Sequence, residues 1–484
     1  MNLVEALKNE ANKTYTENGA LAYKSSLNDN LDFFAQASLF KYDSNLALNY
    51  FIRAFNEDNL LAMKNLFYLR NIRGLGAGLR EASRQIYAWL ADNHTDIMLK
   101  NLENVGFYGR FDDYYAFVHT KLEAQAFSLL KKQFDEDLKS ENPSLLAKWL
   151  KSPNTSSNES RYLGKLTAKY FALEEKEYRK ALGSLREKIK VVERNLCSKD
   201  FETIDYERVP SRAMINYRNA FYKNDCEKFS QYLNEVEKGE AKINTGAIYP
   251  VDIMSRGELV PIYGYLRFNT DDLLEEAWKN LPNYVKDESS SLVVADTSYS
   301  MLGTPLRVAI SLALYFAERN KGLWSNKMIT FSSSPSFVDL SKGTNLKEKI
   351  GLIPTITENT NVMAVFDLIL DAAINNNVKP CDMLKNIIVV SDMQFDCMND
   401  DGFYGEVIKT KFQNAGYEAP NLVFWNVNEK FKPLTHATYD ERGIKMVSGY
   451  NPALFEEVVK DTYLTPLDSM LEMLNNPIFD KVTI

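Results

Sequence analysis

Residues 290–305 read SSLVVADTSYSMLGTP, an apolar run that ends in Asp296, Ser298 and Ser300 at every second position. In extended backbone alternate side chains project to one side, so a carboxylate and two hydroxyls can face a common point. A second apolar run, NIIVVS, ends in Asp392, and the loop TENTN supplies Thr357 and Thr360. Asp296, Asp392, Ser298, Ser300 and Thr360 make a hard-oxygen set of two carboxylates and three hydroxyls. Such a set suits Mg2+, or another divalent cation of similar hardness, which keeps several waters and favours octahedral oxygen. So few carboxylates leave coordination positions open for water or for an acid from a partner. The plain alternative is that Asp296 and the serines only cap the next helix, which Thr304 would cap and Pro305 would open.

The elements that must position these residues follow from the pattern after residue 285. SLVVAD, KMITFS, NIIVVSD and NLVFWNV are short, uniformly apolar runs rich in Val and Ile. Helix patterns lie between and after them at about 305–319, 361–375, 402–414 and 451–463. Buried strands alternating with helices predict a parallel sheet covered on both faces. In such sheets ligands bind beyond the carboxyl ends of the strands, where both aspartates stand.

Before residue 285 the chain reads as helix after helix. SNLALNYFIRAFNEDNLLAMKNLFYLRNI holds two helices split near Asn56–Asp58, and SENPSLLAKWLKS starts a helix after Pro143. In EEKEYRKALGSLREKIKVVERNL, Tyr178, Leu182, Leu185, Ile189, Val192 and Leu196 form one stripe on one helix. Arg179, Lys180, Arg186, Lys188, Lys190 and Arg194 lie opposite. Successive helical hairpins predict a stacked array. RGLGAGLRE follows a helix pattern and lacks the Lys of a phosphate loop, so it reads as a turn between helices, with Arg70, Arg73 and Arg80 available to a surface.

The 484 residues exceed one hydrophobic core, which predicts at least two domains, drawn as 1–284 and 285–484. No apolar run approaches a membrane span and the first residues lack a signal-peptide core. The four cysteines are too sparse for a disulfide framework. A cytoplasmic protein is expected. The net charge is −8, with 18 Lys+Arg against 25 Asp+Glu from residue 285 onward, whereas residues 161–223 hold 15 against 9. That local excess is a candidate footprint for an anion or nucleic acid, or else a solvated helical surface.

VVADTSYSM, TENTNVMAVFDLIL and IIVVSDMQFD resemble the metal-ion-dependent adhesion site of a von Willebrand factor A domain, in the form found in Ro (TROVE) ribonucleoproteins and an uncharacterised Ro-like branch. RNIRG, GFYGRFDD, LLAKWLKSPN, IDYERVPSRAM, GEAKINTGAIYP, VFWNVN and MLEMLNNPIFD resemble that family in the same order, over about residues 30–480. The resemblance implies an α + α/β chain: a HEAT-like helical-repeat ring or horseshoe, then a Rossmann-like A domain. It implies metal ligands Asp296, Ser298, Ser300, Thr360 and Asp392, and the binding of structured or single-stranded noncoding RNA on a basic helical surface.

On that reading Lys165, Lys169, Arg179, Lys180, Arg186, Lys188, Lys190, Arg208, Arg212 and Arg218 contact phosphates. Tyr178, Tyr217 and Tyr222 are available to stack on unpaired bases. A second reading needs no RNA: the metal site captures an acidic residue of a protein partner and the helices serve as scaffold. An enzyme is not expected. A phosphoryl-accepting aspartate would need a second aspartate where Ser298 stands, and His94, His119 and His436 fall in no catalytic motif. Asp396 is read as a solvent-loop residue.

Overall fold

The computed structural model describes residues 3–286, 290–331, 334–355, 360–397, 403–460 and 462–484. Two compact units are present: Met1–Tyr42 with Pro210–Asn216 and Leu233–Asn476, and Asp43–Val209 with Tyr217–Tyr232 and Pro477–Ile484. Each is discontinuous in sequence, whereas the change of sequence pattern falls at 284/285.

The first unit is built on a six-stranded sheet. Its strands are β1 (Ser291–Asp296), β2 (Lys327–Phe331), β3 (Ser336–Asp339), β4 (Asn386–Ser391), β5 (Asn421–Asn426) and β6 (Ile444–Ser448). The order is β6-β5-β4-β1-β2-β3, parallel throughout except for the antiparallel edge strand β3. Every residue of β1, β4, β5 and β6 is buried, which is why these runs are apolar without alternation. Helices α1 (Thr304–Arg319), α2 (Met363–Asn375) and α3 (Tyr404–Asn414) occupy the crossovers. The strand order reverses between β1 and β4, which makes the gap between their carboxyl ends the switch point of the sheet.

Four strands and three helices lie where the sequence places them. β3 and β6 are additions, and the helix expected over 451–463 is a 3-10 turn at Pro452–Leu454 followed by the short helix Phe455–Val458. β6 escapes recognition because it contains Lys445. That side chain is 1% exposed, and its ammonium donates to the carbonyls of Val458 and Lys460 at 3.3 and 2.8 Å. A lysine so paired fits a buried strand that a polarity pattern rejects.

The second unit is helical. Asp58 ends the helix Ser44–Glu57 and caps Asn59–Arg70 through its side chain, so the split read near Asn56–Asp58 is correct. RGLGAGLRE is the connection between that helix and Glu81–Asn93. The helix after Pro143 is a single turn, Leu146–Trp149. The long helix expected from Tyr178 to Leu196 is two, Glu175–Lys188 and Val192–Ser198, because Lys190 takes a left-handed conformation (φ 48°) that no right-handed helix admits.

Arg70 does not line a surface. It is 1% exposed and pairs with Asp113 at 2.6 Å, while Arg84 bonds the other Asp113 oxygen at 2.8 Å and Asp112 at 2.8 Å. The peptide N–H of Arg110 also donates to Asp113, at 2.8 Å. GFYGRFDD is thus the acidic half of a buried ion network. Gly109 is required there: a Cβ would lie 2.2 Å from the Asp113 carboxylate.

Candidate metal centre

β1 ends in Asp296 and β4 in Ser391, which carries Asp392 immediately beyond it. The pairing of Ser291–Ala295 with Asn386–Val390 sets these two ends side by side. Ser391 Oγ donates to Asp296 Oδ2 at 2.6 Å, and the Ser298 amide donates to Asp296 Oδ1 at 2.9 Å. Ser298 and Ser300 do not converge through extended backbone as the alternation suggested. The chain turns into a single 3-10 turn, Tyr299–Met301, and that turn leaves the two hydroxyls 3.2 Å apart. The helix behind them also starts differently. Gly303, at φ 105°, precedes it, and Thr304 and Pro305 are its first two residues with no side-chain cap. A β-carbon disfavours that backbone, so Gly303 permits the sharp entry.

Asp392 Oδ1 accepts from the Gln394 amide at 3.1 Å. Its other oxygen, Oδ2, is buried with no hydrogen-bond partner among the described residues. Met393 sits at φ 65°, a strained conformation for a residue with a β-carbon, immediately after this aspartate. Thr360 is 1% exposed, and Asn18 Nδ2 lies 3.4 Å from its hydroxyl. The Thr360 carbonyl accepts from the backbone amide of the half-exposed Asp396 at 2.9 Å, so the loop carrying Asp396 holds Thr360. Thr357 lies outside the described residues.

Four of the five expected ligands, Asp296, Ser298, Thr360 and Asp392, are therefore buried and Ser300 is half-buried, on three segments. Electrostatics favour a cation there. Burial, and then the neighbouring Asp392 carboxylate, push Asp296 up to about 7 against the donors Ser298 and Ser391. Burial also raises Asp392, opposed by the Gln394 amide, the Ser300 hydroxyl and the Lys430 ammonium. Two adjacent buried carboxylates and an orphaned carboxylate oxygen fit a divalent cation, which would neutralise the pair and satisfy Oδ2. Among the described residues no three His, Cys, Asp or Glu side chains converge. The set is short of carboxylates and completed by hydroxyls, which matches hard-cation chemistry and not a zinc site. Ser391 and Gln394 were not anticipated, although SDMQ places them one before and two after Asp392. Asn18 has no local signal, being 342 residues from Thr360.

The basic residues divide into two groups. Lys169, Arg179, Lys180 and Lys190 are exposed, on or next to the helices Asn158–Tyr170 and Glu175–Lys188. Lys188 is exposed too and donates to the Ser140 carbonyl at 3.0 Å. Lys165, Arg208 and Arg212 pair with Glu175, Asp205 and Asp252 at 3.3, 3.1 and 2.9 Å. Arg186 is half-buried, its guanidinium donating to Ala147 O, Leu150 O and Ser152 Oγ at 2.8–2.9 Å. Arg218 is half-buried. Tyr178 is core, 0% exposed between Phe134 and Phe171, and is closed to a base; Tyr217 and Tyr222 are half-buried.

No described helix is long and apolar enough to cross a membrane. The chain is 29% identical to "Uncharacterized protein L728" of Acanthamoeba polyphaga mimivirus, over 97% of this chain and 89% of that one. The crystal structure of the Deinococcus radiodurans RO (RSR) protein aligns over 87% of this chain and 92% of that one, with 15% identity and a TM-score of 0.38, too low to equate the two folds. A model described as Domain of unknown function (DUF7788) matches residues 290–472, a span that contains all five oxygen donors. A second, Domain of unknown function (DUF2828), matches residues 16–123 and 143–291, more than half of the chain, and to that family the protein belongs.

Proposed function

We propose that this is a non-enzymatic, cation-dependent binding protein. Residues 290–472 act as an A-type domain in which Asp296, Ser298, Ser300, Thr360 and Asp392 hold Mg2+ or a similar divalent cation. The observation that carries the reading is the pair of buried carboxylates at the switch point, with Asp392 Oδ2 lacking a partner among the described residues. The cation would supply a Lewis-acidic position for an acidic group of a partner. Ser391 and Gln394 keep Asp296 and Asp392 oriented, and the buried surround excludes competing water. Calorimetric titration of the full chain with MgCl2 and MnCl2 tests this. Saturable binding that Asp296→Asn and Asp392→Asn abolish supports it; no heat and no stabilisation of the wild type by either cation sinks it.

A second role is supported by the exposed Lys169, Arg179, Lys180 and Lys190 and by the resemblance to Ro ribonucleoproteins. The helical repeats, arranged as a HEAT-like ring or horseshoe, would bind noncoding RNA through its phosphates in the cytoplasm. A mobility shift with a structured RNA bearing a single-stranded tail, at about 50 and about 200 mM salt, tests it. Absence of binding at the lower salt leaves the helical half as a protein scaffold.

A further inference from the structure

A segment from the opposite end of the chain docks beside the candidate cation site. Residues Lys13–Tyr15 and Leu21–Tyr23 pair as an antiparallel hairpin, and its turn, Thr16–Ala20, docks on the loop that follows Asp392. Thr16 Oγ1 donates to the Phe395 carbonyl at 2.7 Å. The Glu17 amide donates to Gln394 Oε1 at 2.9 Å, and Asn18 Nδ2 donates to the Gln394 carbonyl at 2.7 Å. The Cys397 amide donates to the Asn18 carbonyl at 3.2 Å. The Asn18 amide group also lies 3.4 Å from Thr360 Oγ1.

Gln394 is the relay. Its side chain and carbonyl hold the turn, while its own amide N–H holds Asp392 Oδ1 at 3.1 Å. Of the five oxygen donors, Thr360 is thus one hydrogen bond from the hairpin turn and Asp392 is linked to it through Gln394. Two buried polar atoms at this junction, Asp392 Oδ2 and Gln394 Nε2, have no partner among the described residues, so the junction is built for a further group. The hairpin has only three residues in each strand, too few to persist alone in water. Its register depends on docking, here and at Thr435, whose backbone exchanges two hydrogen bonds with Tyr23 at 2.8 and 3.0 Å. Gly19 at φ 87° lets the turn close against Cys397.

We propose that the Thr16–Ala20 turn is an intrachain clasp of the cation site, with Asn18 and Gln394 as positioning residues for Thr360 and Asp392. This rests on the cation reading above and extends it. Cation binding and hairpin docking are linked, and the linkage is reciprocal: a cation tightens the hairpin as much as a docked hairpin tightens the cation.

The test uses the full chain with Mg2+ as the probe. Wild type, Asn18→Ala, and Tyr15→Ser on the exposed side of the same hairpin are titrated calorimetrically, and amide hydrogen exchange of residues 13–23 is followed with and without Mg2+. The expected result is a roughly tenfold weaker Mg2+ affinity in Asn18→Ala, an unchanged affinity in Tyr15→Ser, and slower exchange of residues 13–23 on adding Mg2+ to the wild type. Both responses are required, because linkage runs both ways. Mg2+ binding that is equal in wild type and Asn18→Ala, or that leaves exchange of residues 13–23 unaltered, overturns the clasp and leaves the cation site standing. A wild type that does not bind Mg2+ overturns both.

Discussion

Ser391 Oγ donates a 2.6 Å hydrogen bond to Asp296 Oδ2, joining residues 95 positions apart that end adjacent parallel strands. The bond fixes one carboxylate oxygen and leaves the aspartate's orientation independent of any bound ion. Ser391→Ala is expected to weaken Mg2+ affinity about tenfold while Asp296→Asn removes binding altogether. A Mg2+ titration of the two variants side by side separates an orienting hydroxyl from a ligand; equal losses would make Ser391 itself a ligand.

The buried network around Asp113 carries stability. Asp113→Ala leaves Arg70, 1% exposed, without its carboxylate and is expected to destabilise the chain by about 4 kcal/mol. Gly109→Ala forces a Cβ against the same carboxylate and costs about 2 kcal/mol. Chemical denaturation measures both. A variant of Asp113 that unfolds like wild type would show that the network is dispensable.

Arg186 and Lys180 lie on one helix and have opposite roles. Arg186→Ala removes three hydrogen bonds to the 147–152 segment and should cost about 2 kcal/mol. Lys180→Ala should change stability by less than about 0.5 kcal/mol. In the RNA mobility shift the ranking inverts: charge reversal at Lys169, Arg179, Lys180 and Lys190 should cut affinity by at least tenfold at low salt. If the reversals leave RNA binding intact, the phosphate contacts lie elsewhere.

His436 gives a pH signature. Burial among Phe395 and Phe424 lowers it from 6.5 to about 4, partly opposed by its 2.9 Å contact to the Met393 carbonyl. The folded state binds fewer protons than the unfolded chain between those values. Its contribution is therefore present above about 6.5 and is lost as pH falls toward 4, a change of about 3 kcal/mol. Asp296, raised to about 7, works in the opposite direction over an overlapping range, so the comparison must be wild type against His436→Gln at each pH. The stability difference between them should shift by that amount from pH 7 to pH 4, and a constant difference would rule the assignment out.

The sheet and its acids were legible because both are local properties. Strands buried on two faces must be continuously apolar, and a carboxylate at the end of such a run breaks the pattern visibly: SLVVAD and NIIVVSD announce β1, β4, Asp296 and Asp392. The helix boundary near Asp58 was legible for the same reason, as a break between two helix patterns. β6 was hidden because Lys445 is satisfied by carbonyls far along the chain, and the break at Lys190 because helix periodicity runs through it unaltered. Only the tertiary structure decided that Arg70 and Arg186 point inward, since a buried arginine and a solvated one have the same sequence signature until their acceptors are known. It alone placed Asn18 beside Thr360. No periodicity or motif encodes a contact across 342 residues, because such contacts are set by where the sheet brings its loops.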